Sequence, residues 1–286
     1  SVAATRESGL WITRNDRFWI VGCIIVYLSP GVGCVTLLGM SEHTDIKNNL
    51  AQVQERMAAA ARRAGRPLDA VTLVAVTKTH PVYVVQEAYK AGLREFGENR
   101  VGEAESKIPA FSEQVAPEEP PRWHMIGHLQ RRKVRLALEL FEIIHSVDSL
   151  RLAQRIERIA AEGEKVVPVL LEVNVSGEAS KYGFDMSDSR SEKDRAVFFE
   201  QVEQILALPH LEVQGLMTMA PIVSDPEQAR PVFVNLRTLR DTLSQRFPGA
   251  DWHALSMGMT DDFEVAIEEG ATMVRIGRAI FGARNV

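Results

Sequence analysis

The sequence is nearly devoid of cysteine. It has two among 286 residues, Cys23 and Cys34, and none after Met40. That removes a disulfide framework, a thiolate nucleophile and a cysteine-based metal site from the main part of the chain. It fits a protein of the reducing cytoplasm. A basic excess is also lacking. The net charge of −5 argues against nucleic acid or an anionic membrane as partner for the main domain, although a local basic pocket is allowed. The seven histidines show no HxH or HExxH spacing, so no metal is expected. His124, His145 and His253, in or at the starts of apolar runs, read as satisfied structural histidines. No GxGxxG follows the first apolar run, which counts against a dinucleotide-binding sheet. No internal repeat is visible.

What is present is the composition of a soluble globular protein, 45% hydrophobic and 25% charged. The first forty residues stand apart. Phe18 to Met40 is uncharged, long enough to cross a bilayer, and preceded by Arg14 and Arg17. Ser29, Pro30, Gly31 and Gly33 interrupt it. Residues 1–40 are read as an extension outside the fold, with an apolar anchor as the alternative. The fold is expected over 41–286. It opens with a helix for which Ser41 and Thr44 are candidate caps and Ile46, Leu50, Val53 and Met57 form the apolar stripe.

From Val71 onward short apolar runs alternate with amphipathic stretches. The runs lie at 71–77, 94–99, 123–127, 141–147, 166–175, 211–220, 252–258 and 272–277. Several are continuous Val/Ile/Leu runs, the pattern of parallel strands buried on both faces. Helical spacing marks 81–91, 129–140, 149–162, 192–207, 226–246 and 261–269. Residues 112–121 and 186–195 read as polar loops. Eight such units predict a single (β/α)8 barrel, with an open doubly wound sheet as the rival. In a barrel the chemistry sits at the C-terminal ends of the strands.

Lys78 ends the first run, in AVTKTHP. Burying an ammonium there is costly, and a lowered pKa would make the amine a nucleophile toward an aldehyde. The plain alternative is a rim lysine with its amine in water. The loops after strands seven and eight are the usual phosphate site of this fold. Here they hold Ser256, Gly258 and Met259, then Arg275, Gly277 and Arg278. The glycines admit backbone N–H groups to an anion, and a helix starting near Thr260 would present its N-terminus. Arg275 lies inside the last strand and needs an acceptor, for which Glu172 is a candidate. A strand-one lysine together with this cradle suits a phosphorylated aldehyde. A Schiff-base aldolase acting on a sugar phosphate therefore stays open.

The stretches AVTKTHP (75–81), FGENRVGEAESK (96–107), WHMIGHLQRRK (123–133), VNVSGEASKYGF (173–184), GLMTMAP (215–221) and LSMGMTDDFEVAIEEGATMVRIGRAIFG (255–282) resemble, in order, the YggS/PROSC family of pyridoxal phosphate (PLP) homeostasis proteins. That family is an alanine-racemase-type (fold type III) barrel standing alone. The resemblance implies PLP carried on Lys78, and Asn99 near its ring. Ser256, Gly258 and Met259 would hold the phosphate from one side, and Gly277 with Arg278 from the other. Arg275 would face the pyridine nitrogen, and Met219 and His128 would line the mouth. Gly102 and Arg278 depart from the pattern, which more often has glutamine and a small hydroxyl residue. Lys181 reads as a solvated loop lysine or a transient PLP carrier. The chain ends soon after strand eight, leaving no room for the second domain that gives racemases their opposing base, and Tyr83, Tyr89 and Tyr182 are not obvious substitutes. The expectation is a monomeric, non-catalytic PLP holder whose partners would be apo PLP-dependent enzymes. The alternative is a racemase-like enzyme with an unidentified second base.

Overall fold

The computed structural model describes residues 45–115, 119–178, 182–187 and 191–282, together with the backbone of five short strands before Met40. Ser1–Asp45 and Ile46–Val286 are separate compact units. In the first, Ala4–Glu7, Leu10–Asn15, Phe18–Val21, Ile24–Leu28 and Val35–Leu38 pair in sequence as an antiparallel meander. The described residues of the apolar run from Phe18 are therefore strand. Among the described residues no helix is long and apolar enough to cross a membrane. Ser41 and Thr44 lie outside the described residues.

The second unit is a closed barrel of eight parallel strands. They are β1 (Thr72–Val76), β2 (Glu95–Glu98), β3 (Arg122–Met125), β4 (Ile143–Val147), β5 (Val167–Asn174), β6 (Leu211–Met217), β7 (Ala254–Ser256) and β8 (Met273–Ile276). Each pairs with the next, and β8 closes on β1 with Arg275 opposite Val74. A two-residue strand, Phe184–Asp185, pairs with the end of β5. The helices are α1 (Ile46–Arg63), α2 (Val82–Lys90), α3 (Val101–Val115), α4 (Val134–Leu140), α5 (Leu150–Glu162), α6 (Glu192–Leu206), α7 (Arg230–Arg246), α8 (Phe263–Glu268) and α9 (Arg278–Phe281). α1 packs on α8 and α9 through the expected Ile46, Leu50, Val53 and Met57, and Asn49 Nδ2 donates to the Ile280 carbonyl at 3.0 Å.

Alternate strand residues feed two different layers. Ala75, Phe96, Met125, Ile144, Leu171, Leu216, Leu255 and Val274 point outward to the helices and share their core. Leu170, Met217, Ala254 and Met273 form a smaller apolar cluster inside the barrel, with Met219 against it. Toward the C-terminal ends of the strands the interior turns polar, and that change locates the site.

α3 escapes the periodicity reading because Pro109 lies within it. A proline inside a helix costs about 3 kcal/mol. Phe111, fully buried against Tyr89, Phe96 and Trp123, returns about 1.5–3 kcal/mol, and buried Ile108 adds to it. The helix therefore runs to Val115, through the first four residues of the segment read as a loop over 112–121. The helix expected over 192–207 starts at Glu192, within the polar stretch read over 186–195, and a Ser191–Asp194 capping box begins it.

Candidate functional site

Lys78 follows β1 directly at the C-terminal mouth. Val76 is in register with Gly97, and the Thr77 amide donates to the Gly97 carbonyl at 3.0 Å, which sets Lys78 beside Asn99. On the other flank Ile276 is opposite Ala75, so Gly277 and Arg278 emerge at the level of Val76 and Thr77. A Cβ on Gly277 would lie 3.2 Å from the Val76 carbonyl. Strand closure thus brings three sequence-predicted segments to one rim. Thr79, next to Lys78, has φ 66°. That left-handed conformation costs a non-glycine residue about 1–3 kcal/mol and persists where surrounding contacts impose it.

Those contacts were not legible in the sequence. Lys107 on α3 is buried, and its ammonium donates to the Thr77 carbonyl at 2.8 Å, Glu98 Oε1 at 2.6 Å and Glu103 Oε1 at 2.6 Å. Thr77 Oγ1 donates to Glu98 at 2.7 Å, and Thr79 N to Glu103 at 2.5 Å. Burial raises the Glu98 carboxyl pKa despite Lys107.

Inside the barrel a second polar chain links side chains from five strands, β8, β7, β4, β3 and β2. Arg275 Nη1 donates to Ser256 Oγ at 2.6 Å, and Nη2 to the Thr218 carbonyl at 2.8 Å. Ser256 Oγ lies 2.9 Å from His145 Nδ1, His145 Nε2 lies 2.9 Å from His124 Nδ1, and His124 Nε2 lies 2.6 Å from Glu95 Oε2. With both imidazoles neutral and protonated on Nε2, every group donates onward, from Arg275 to Glu95. Burial holds the His145 pKa well below its ordinary value, which keeps the ring neutral as that arrangement requires. Burial also lowers Arg275, to about 10, so it stays a cation at neutral pH. The expected Glu172 partner is not among its bonds. Ser256, read from the sequence as a phosphate donor, has its hydroxyl drawn into this chain.

At the loop after β7, Gly258 has φ 90°, and a Cβ there would meet the Ala266 Cβ at 2.5 Å. Only glycine fits. The Met259 amide donates to Asp262 Oδ1 at 2.6 Å, shaping the approach to α8, which starts at Phe263 rather than near Thr260. Burial raises the Asp262 pKa. Arg278 opens α9 and pairs with Asp261 at 2.6 Å, both side chains well exposed.

Among the described residues, several buried polar atoms at this end have no partner: Asn99 Oδ1, Glu172 Oε2 and, on β4, Ser146 Oγ. Glu172 points inward from β5, and burial, then the charge of Asp148, raise its pKa to about 7. At the mouth His128 Nδ1 lies 3.2 Å from Asp148, and its ring stacks on Tyr182 at 4.0 Å. Met219 is half-buried against the inner apolar cluster. Lys181 lies outside the described residues.

Comparison with known proteins follows the same outline. The family "Alanine racemase, N-terminal domain" matches residues 48–285. A pyridoxal phosphate homeostasis protein of Vibrio alginolyticus is 42% identical over 242 residues, 85% of this chain and 99% of its own. Another, from Aquifex aeolicus, is 43% identical over 236 residues, 82% of this chain and 97% of its own. The structure of PipY of Synechococcus elongatus with PLP bound superposes with a TM-score of 0.68 at 34% identity, covering 83% of this chain and 100% of that one. An alanine racemase of Clostridium difficile shares the fold at 15% identity, with a TM-score of 0.60 over 82% of this chain and 60% of its own. The chain belongs to the alanine racemase N-terminal domain family and, within it, to the pyridoxal phosphate homeostasis proteins that its motifs resemble.

Proposed function

We propose that this chain binds PLP on Lys78 at the mouth of the barrel and holds it for cofactor homeostasis in the cytoplasm, rather than turning over an amino acid. One observation carries the reading: β8 closes on β1, so the lysine and the 277–278 turn meet at one rim. The unpartnered Asn99 Oδ1 and Glu172 Oε2 fit a polar ligand in the same place. The cofactor supplies an aldehyde that condenses with a primary amine and a ring that withdraws electrons.

The residues divide the work. Lys78 offers the amine. Asn99 stands beside it. Gly258, Gly277 and Arg278 offer backbone N–H groups to the phosphate, which tolerates an arginine where the family pattern more often has a small hydroxyl residue, whereas the Met259 amide is taken by Asp262 Oδ1 and shapes the loop beside them. Arg275, held by Ser256 and the Thr218 carbonyl, presents a cation to the ring nitrogen. A nearby cation opposes protonation of that nitrogen and weakens its electron withdrawal, which suits holding over carbanion chemistry. Apo PLP-dependent enzymes would be the recipients, and the monomer the working form. Residues 1–40 lie outside this function in our reading.

The test is borohydride reduction of the PLP-treated chain followed by peptide mapping, with Lys78→Ala alongside. PLP fixed on Lys78 and absent from the variant supports the reading. No fixed PLP sinks it, and rapid racemisation or elimination of an added amino acid sinks its non-catalytic half.

A further inference from the structure

We infer that Lys107 is a positioning residue for Lys78: with Glu98 and Glu103 it grips the backbone on both sides of that lysine and fixes where its amine points. The inference rests on the PLP reading above and adds a device to it.

The bonds bracket Lys78. On the N-terminal side the Thr77 carbonyl accepts from Lys107 Nζ at 2.8 Å, and the Thr77 hydroxyl donates to Glu98 at 2.7 Å. On the C-terminal side the Thr79 amide donates to Glu103 at 2.5 Å, and Glu103 is itself held by Lys107 at 2.6 Å. One ammonium therefore joins residues 77 and 79. Its three N–H groups go to Thr77, Glu98 and Glu103, so all its donors are used. With a side chain only 5% exposed, it is no rival attachment point for an aldehyde.

Two features say that the bracket does more than fill space. A buried lysine with two carboxylates is a costly way to stabilise a helix–strand contact, and an apolar side chain of like volume serves as well. What an apolar residue cannot do is bond the Thr77 carbonyl and orient Glu103. In addition, Thr79 is held at φ 66°, a conformation a threonine does not take unaided. Strain imposed by a dedicated network next to a reactive side chain is the arrangement expected where direction matters.

The test uses the full chain and two variants. Glu103→Ala alters a side chain already one-quarter exposed and should fold. Lys107→Met/Glu98→Gln removes both buried charges together, so neither is stranded. Amide hydrogen exchange is read at Thr79 without PLP. The rate of PLP fixation on Lys78 is read by borohydride trapping. We expect Thr79 exchange to rise by about tenfold or more, and Lys78 trapping to slow by roughly ten- to a hundredfold, in both variants. Glu103→Gln, which keeps an acceptor for the Thr79 amide, should recover most of the trapping rate. Unchanged Thr79 exchange overturns the inference. So does faster exchange with an unchanged trapping rate, which would make the network merely structural. No PLP on Lys78 in the unaltered chain overturns the proposed function and this inference with it. PLP on Lys78 equally in all chains overturns the inference alone.

Discussion

The hydroxyl of Ser256 accepts from Arg275 at 2.6 Å and faces the ring nitrogen of His145 at 2.9 Å. A short side chain on β7 thereby links the guanidinium on β8 to an imidazole on β4, across the barrel interior. Removing His145 strands the Ser256 proton and His124 Nδ1 in a buried place. Each orphan costs about 1–3 kcal/mol. His145→Phe keeps the volume and loses both bonds, so urea unfolding of the PLP-free chain should show a loss of about 2–6 kcal/mol. A loss below about 1 kcal/mol would mean that the chain of bonds from Arg275 to Glu95 contributes nothing net.

Glu172 and His145 pull stability in opposite directions with pH. The Glu172 carboxyl rises from 4.5 to about 7 on folding. Between those values the folded state holds more protons than the unfolded one, so this group's contribution falls as pH rises. The His145 imidazole is lowered well below 6.5, so its contribution falls as pH drops through 6.5. Together they flatten the profile over the mildly acid range. Glu172→Gln removes one arm. It should stabilise the chain at pH ~7.5 by about 1–3 kcal/mol and expose a steeper loss below pH ~6.5. Urea midpoints measured from pH ~5 to ~8 test this. Parallel profiles for the two chains would refute the assigned shift.

How much of this was legible in the sequence differs from residue to residue. Strands such as VTLVAVT and VVPVLLEVNV announce themselves because parallel strands buried on both faces are apolar throughout. Their C-terminal ends pointed to Lys78, Asn99 and the 256–259 and 275–278 turns. Partners across the barrel were not legible. His124 and His145 read as structural histidines, and so they are bonded, but their pairing follows from the β3–β4 register, with His124 opposite Ile143. Glu172 was a candidate partner for Arg275, yet Ser256 and a backbone carbonyl take that place. Lys107 was hidden because a lysine in the polar stretch EAESK reads as solvent-facing. Its only trace was the i, i+4 spacing to Glu103, which exposed helices show as often.

Thr79 offers a direct measure of the strain beside Lys78. A left-handed residue with a Cβ pays roughly 1–2 kcal/mol, and a β-branched one is no better placed. Glycine at φ 66° avoids that cost but loses about 0.5–1 kcal/mol to a freer unfolded chain. Thr79→Gly should therefore range from neutral to about 1 kcal/mol more stable, where an unstrained threonine changed to glycine would destabilise. The informative step is the double variant. If Glu103 holds Thr79 in place against its own preference, the cost of Glu103→Ala should shrink once residue 79 is glycine, because the turn then needs less holding. Denaturant unfolding of the four chains gives that coupling, expected at about 0.5–1 kcal/mol. A coupling of zero would mean that Glu103 and the left-handed turn are independent, and that the conformation beside Lys78 is fixed by the strand and helix alone.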